Sequence, residues 1–256
     1  MRSKGGLVRQ ADLLPGQRSL FDPPAEVSPV EVQPAVIPVV RKVAEVIPVV
    51  QEVTPARENE WAGIKDLEAL KPKVLACSAC ELRSGARGVV FGEGDPKADI
   101  MFVGEGPGQT EDETGRPFVG RAGKLLDAML ESIGLQRKEV FIANIVKCRP
   151  PGNRLPLPPE VEVCLPNLRA QIRIVDPKII VLLGALASQT LINPALRVTR
   201  DRGKWFNKDG RNFLVTFHPA AVLRDEYGKK GLLQNDFSSL KQRLEHLRYE
   251  ADRRPH

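Results

Sequence analysis

Four short apolar runs, each ending in a turn and separated by stretches of helical period, constrain this chain most. They are Ala98-Asp-Ile-Met-Phe-Val103, Val140-Phe-Ile-Ala-Asn144, Lys178-Ile-Ile-Val-Leu-Leu183 and Asn212-Phe-Leu-Val-Thr-Phe217. The third is apolar almost throughout, as a strand covered on both faces must be. Between the first two, Leu125, Leu126, Met129, Leu130 and Ile133 recur at helical spacing before Gly134. Residues 62–75, 159–175, 185–192 and 231–247 also read as helices. Strands alternating with helices predict an α/β fold: a three-layer α/β/α sandwich around a central four-stranded, mainly parallel sheet.

Residues 1–60 differ from the rest. They are rich in proline, carry no cysteine, and repeat Val36-Ile-Pro-Val-Val40 as Val46-Ile-Pro-Val-Val50. Proline at this density breaks helices and removes ladder donors, so a disordered N-terminal tether is expected, with the folded domain over residues 61–256. Within the tether, Gln17-Arg-Ser-Leu-Phe21 resembles the peptide by which bacterial DNA enzymes grip the replicative sliding clamp. The net charge of +6 favours a polyanionic partner, most simply nucleic acid. No apolar run is long enough to span a membrane, and the first residues lack the apolar core of a secretory signal, so a cytoplasmic protein is expected.

The chain has four cysteines, Cys77, Cys80, Cys148 and Cys164. In a reducing compartment a metal site is favoured over two disulfides. One close pair joined to two distant single cysteines is unusual for zinc, and the proline after Cys148-Arg149 is a feature of iron–sulfur loops. Both metals remain open at this point.

Ligands of parallel sheets bind beyond the carboxyl ends of the strands. There lie Gly104-Glu-Gly-Pro-Gly108, Asn144, Gly184 and His218. The glycine loop is followed by Glu111, Asp112 and Glu113, which repel phosphate, so it is not a dinucleotide fingerprint. Asn144 is either a turn residue or a reader of a pyrimidine edge. Phe118 is either core or a stacking platform for a base. His218 is either structural or catalytic.

In combination, Cys77-Ser-Ala-Cys80, Gly104-Glu-Gly-Pro-Gly-Gln-Thr-Glu-Asp112, Gly115-Arg-Pro-Phe-Val-Gly120, Asn144-Ile-Val-Lys-Cys-Arg-Pro-Pro151, Cys164 and Phe217-His-Pro219 resemble the family 4 (iron–sulfur) uracil-DNA glycosylases. The resemblance covers residues 75–247. It implies a monofunctional enzyme that hydrolyses the N-glycosidic bond of deoxyuridine in DNA, and a [4Fe–4S] cluster on the four cysteines with no redox step. It implies that Phe118 stacks on the flipped uracil, Asn144 reads its Watson–Crick edge, Glu111 fills the space of thymine's 5-methyl group and His218 donates to O2. Gly106 and Gly108 would line the uracil site. Gly106 stands where the best-known uracil glycosylases carry a water-positioning carboxylate, which leaves Glu105 as the catalytic carboxylate. Val222 or Leu223 would enter the minor groove, with Arg224 on a phosphate. Lys147, Arg121, Arg149 and Arg154 are further expected phosphate contacts. The partner would be single- or double-stranded DNA, and the protein a monomer.

Two other readings compete. A uracil-binding protein that traps DNA covalently through histidine would need a histidine in Pro150-Pro-Gly-Asn-Arg-Leu-Pro156, which has none. A non-enzymatic DNA-binding module would not need Glu105, Phe118, Asn144 and His218 together.

Overall fold

The computed structural model describes residues 60–253. The tether expected over residues 1–60, with its peptide at residues 17–21, falls outside the described residues but for Glu60. Six strands form one sheet: β1 (Glu93–Gly94), β2 (Ile100–Gly104), β3 (Phe141–Asn144), β4 (Ile179–Leu183), β5 (Trp205–Lys208) and β6 (Arg211–Thr216), in the order β1-β3-β2-β4-β6-β5. The four central strands are the four apolar runs, and they pair in parallel. The sheet is larger than the expected four strands because two short antiparallel strands, β1 and β5, cap its edges.

Nine helices surround it among the described residues: α1 (Leu67–Leu75), α2 (Leu82–Gly85), α3 (Gln109–Thr114), α4 (Arg121–Ser132), α5 (Pro158–Val175), α6 (Ala185–Leu191), α7 (Val198–Asp201), α8 (Pro219–Leu223) and α9 (Glu226–Asp252). Helix α1 starts five residues later than expected. Asp66 caps it by accepting from the Ala69 N–H at 2.7 Å, which fixes its first turn.

Alternation along the strands makes the three layers. Ile100 and Phe102 of β2, with Ile179, Val181 and Leu183 of β4, face one apolar cluster. It is closed by Leu126, Met129 and Leu130 of α4 and by Leu233, Phe237, Leu240 and Leu244 of α9. Met101, Val103, Ile180 and Leu182 face the opposite cluster, closed by Leu67, Leu70 and Val74 of α1 and by Leu165 and Leu168 of α5. A one-residue slip would exchange the two faces, so each strand's register is tightly specified. Phe102 stacks on Phe237 with ring centroids 5.8 Å apart, pinning α9 to the middle of the sheet. Truncating such a buried phenylalanine to alanine typically costs about 3–5 kcal/mol. No helix among the described residues is long and apolar enough to cross a membrane.

Connections leave β2 towards β3 and leave β4 towards β6, so the winding reverses between β2 and β4. The crevice above that point is where such sheets bind ligands.

Candidate active site

The strand ends build a cleft of about 330 Å³ that Glu105, Gly106, Gly108, Glu111, Phe118, Asn144, His218 and Arg224 line together. Its wall begins where β2 and β3 continue to pair beyond their ends. The Ile145 N–H donates to Gly104 O at 2.9 Å and the Val146 N–H to Glu105 O at 3.1 Å. That pairing brings Glu105 and Asn144 to one cleft.

Gly104 is the residue on which the cleft closes. A Cβ there would lie 2.4 Å from Phe118 Cζ and 2.5 Å from Asn144 Oδ1. Only glycine lets the aromatic ring and the amide meet over the strand end. Asn144 is 2% exposed, and its Oδ1 is buried without a hydrogen-bond partner. Leaving such an acceptor unmet costs about 1–3 kcal/mol, a cost that a donor on a bound ligand removes.

Phe118 is buried with φ at 51°, a conformation costly for a bulky side chain. Its loop is clamped from both sides. Glu111 Oε1 accepts from the Val119 and Gly120 N–H groups at 2.9 and 2.7 Å, while Oε2 accepts from the Gly108 N–H at 3.2 Å. Arg137 donates to Phe118 O at 2.9 Å and to Pro117 O, and pairs with Asp127 at 3.0 Å and with Glu93. Gly123 lies beneath, where a Cβ would fall 1.8 Å from Phe118 O.

His218 ends the segment after β6 and caps α8. Its Nδ1 accepts from the Ala220 N–H at 3.2 Å, so the neutral ring carries its proton on Nε2. Burial, reinforced by the Arg224 charge, depresses its pKa to about 4. The ring lies 5.5 Å from that of Phe118, tilted by 34°. Burial raises the Glu105 carboxyl above the usual range, partly offset by Arg224. The cleft therefore offers an apolar plate, an unmet amide oxygen, a neutral N–H donor and a carboxylate, a set suited to a planar heterocycle.

Arg224 and Arg154 line the cleft and are exposed, although Arg154 also forks onto Glu160 at 2.6 and 2.8 Å, and Arg121 is exposed beside the lining residue Ala122. Arg149 is half-buried and donates to Asn153 Oδ1 at 2.8 Å. Two expectations need correction. Lys147 is 1% exposed and turns into the core, so it is no phosphate contact. Val222 is fully buried in the α4/α9 cluster and cannot act as a wedge, whereas Leu223 is half-exposed.

All four cysteines line a second, mainly apolar pocket, with Val74, Leu82 and Val89 among its walls. Cys77 and Cys80 follow α1, Cys148 lies in the turn after β3, and Cys164 sits on α5. The Lys147 N–H donates to Cys164 Sγ at 3.2 Å and Asn167 Nδ2 to the same sulfur at 3.8 Å. Burial first, and then the neighbouring Cys164, push the Cys148 thiol up to about 12. Burial also raises the Cys164 thiol. Among the described residues, no three of His, Cys, Asp and Glu converge closely enough to hold a metal ion.

Motif reading placed Gly104 at the strand end without its close approach to Phe118 and Asn144, and it missed Gly123, Arg137 and the backbone-clamping role of Glu111. Only the glycines carried a signal, Gly104 closing β2 and Gly123 lying in the first turn of α4 shortly after Phe118.

Comparison with known proteins extends these observations. The uracil DNA glycosylase superfamily matches residues 91–247. A Type-4 uracil-DNA glycosylase of Sulfurisphaera tokodaii is 45% identical over 185 residues, covering 69% of this chain and 84% of that protein. The chain belongs to the type-4 uracil-DNA glycosylases. A second type-4 relative, from Thermotoga maritima, is 45% identical over 163 residues, or 62% of this chain and 84% of its own length. A Type-5 uracil-DNA glycosylase of Pyrobaculum aerophilum is more distant, at 32% over 146 residues covering 50% of this chain and 64% of its own. In this type-4 member the matched span contains the whole cleft, together with Cys148 and Cys164, while Cys77 and Cys80 precede it.

Proposed function

We propose that the protein removes uracil from DNA by hydrolysing the N-glycosidic bond of deoxyuridine, leaving an abasic site for base excision repair. The observation that carries this reading is the meeting of Phe118, the unmet Asn144 Oδ1 and the neutral His218 ring in one cleft of a type-4 chain.

The target base must leave the stack, which costs least in single strands or at a mismatch. Phe118 then stacks on the flipped ring, and Asn144 Oδ1 accepts from uracil N3–H. The bond from C1′ to N1 breaks with its electron pair going to the base, where charge spreads to O2. His218 Nε2–H donates to that oxygen as a fixed, preorganised donor, which costs no reorganisation when the charge develops. Glu105 orients the water that attacks the sugar cation and takes up its proton. Glu111, held by three backbone donors, presents a fixed wall that leaves no room for a 5-methyl group. Leu223 fills the gap in the duplex and Arg224 holds a phosphate. Alkali-sensitive cleavage of an end-labelled oligonucleotide at a single uracil, with none at thymine, is the expected result; equal resistance of both contradicts the reading.

The pKa directions give the pH dependence. A depressed His218 stays neutral above about 4, so the single-turnover rate shows no step near 6.5, where an ordinary histidine titrates. Glu105, raised by burial, gains its charge later than usual, so the rate rises with pH through the Glu105 pKa. A Glu105→Gln variant lacks that limb. Rate against pH for both proteins checks this, and a limb retained in the variant contradicts it.

The four cysteines fit a [4Fe–4S] cluster. All four line one mainly apolar pocket, and four thiolates are the ligand set that such a cluster takes. Burial first of all raises the Cys148 and Cys164 thiols, and a bound metal would favour their thiolates. When bound, the cluster supplies a structural staple between the α1 end, the turn after β3 and α5. Cys148→Ser is expected to lower iron and sulfide content and to lower the unfolding temperature by about 10 °C, read by elemental analysis and circular dichroism.

A cytoplasmic setting, where thiols stay reduced, and a monomer suit this reading. The peptide of Gln17, Leu20 and Phe21 would tether the enzyme to a sliding clamp. Equal capture of wild type and a Leu20→Ala/Phe21→Ala variant by immobilised clamp contradicts that part.

A further inference from the structure

Lys147 lies between the base-facing Asn144 and Cys148, and its side chain points away from both the cleft and the rim. Its ammonium donates to Asn144 O at 2.9 Å and to Gln171 Oε1 at 2.6 Å. Gln171, on α5, donates in turn to Phe91 O at 2.8 Å. The Lys147 carbonyl accepts from the Val90 N–H at 2.8 Å, and its own N–H donates to Cys164 Sγ at 3.2 Å. One residue thus ties the Asn144 main chain to α5, to the segment before β1 and to the cysteine pocket.

Both side-chain partners are neutral, and burying an ammonium against neutral groups is expensive. A methionine would fill similar space without that cost. What the lysine adds is a set of bonds, one of them to the residue that meets the base. The Asn144 side-chain oxygen has no partner of its own, so its aim depends on the main chain from which it springs. On its Gly104 side that main chain is held by the ladder to β2, and from within the core by Lys147.

We propose that Lys147 is a positioning residue for Asn144, locking the turn after β3 to the cysteine pocket so that the amide is already aimed at the base. The inference rests on the function proposed above. It assigns Lys147 no contact with DNA, substrate or cluster iron.

The test is a double-mutant cycle on cluster-loaded protein, using single-turnover excision of uracil from an oligonucleotide with iron and sulfide measured for each variant. Lys147→Met is expected to slow excision about ten- to a hundredfold, the loss of a charge-assisted buried hydrogen bond. Combined with Asn144→Ala it should be no slower than Asn144→Ala alone, because both act through one group. Combined with His218→Leu the two losses should multiply. A merely structural lysine would multiply with both. Gln171→Met, which removes the ammonium's other acceptor, goes through the same cycle and decides the matter if Lys147→Met does not fold. A wild-type rate in Lys147→Met, or multiplication with Asn144→Ala, overturns the proposal. Wild-type protein that leaves uracil in place overturns the functional reading instead, and the two failures are separate arms of one experiment.

Discussion

His218→Leu is expected to lower single-turnover excision of uracil by about 10²–10³-fold, the usual cost of losing one preorganised donor to developing negative charge. The size follows from the state of the ring. Nδ1 is occupied by the Ala220 N–H, which leaves Nε2–H as the only ring donor of the neutral form. Burial keeps that form dominant down to about pH 4, so a hydrogen bond, not a full positive charge, meets the leaving base. The bond strengthens as charge moves onto O2, so the loss should fall on kcat and leave KM for DNA little changed. The lost cap on α8 costs only about 0.5–2 kcal/mol, so the fold should persist. Single-turnover rates with saturating enzyme, beside unfolding curves, check both halves. A loss confined to KM would mean that His218 binds DNA instead of assisting bond cleavage.

The second large effect comes from a residue without a side chain. Gly104→Ala places a methyl 2.4 Å from the Phe118 ring and 2.5 Å from Asn144 Oδ1, both far inside contact distance. Neither neighbour yields easily. Phe118 is held by Glu111 and Arg137 through the backbone of its loop, and Asn144 sits at the end of a buried parallel strand. The methyl must therefore push the stacking plate, the reading amide or both out of place. Misplacement by about 1 Å typically costs about a hundredfold in rate, so excision should fall by at least about that factor. Overpacking costs about 1–3 kcal/mol of stability. Excision kinetics with iron content as the check on folding decide it; wild-type kinetics in a well-folded Gly104→Ala protein would show that the two side chains need not meet at this point.

The strands were legible where both faces are covered, because residues 178–183 then had to be an unbroken apolar run. The antiparallel edges were not. Strand β1 has only two residues and no period to read. Strand β5 is half-exposed, and its one clear signal, Asp209-Gly210 with φ values of 51° and 74°, marks a tight hairpin that the reading passed over. Helix α9 begins at Glu226 instead of near residue 231 because it runs through Gly228 and Gly231, which on propensity alone argue for a break. The site residues could be singled out because parallel sheets gather them at strand ends. What holds them could not. Arg137 reaches Phe118 from 19 residues away and Gln171 reaches Phe91 from 80, separations at which a sequence carries no local trace. Lys147 misled because a lysine beside arginines reads as surface charge until the core is seen to close over it.

The most direct measurement is the product of the reaction itself. Cluster-loaded protein is incubated with DNA containing one uracil, and the mixture is analysed by mass spectrometry before any alkali is added. Free uracil together with an uncut strand bearing one abasic sugar is the predicted result, from uracil and not from thymine DNA. A strand that retains its uracil, breaks without alkali, or becomes covalently joined to the protein would contradict the account.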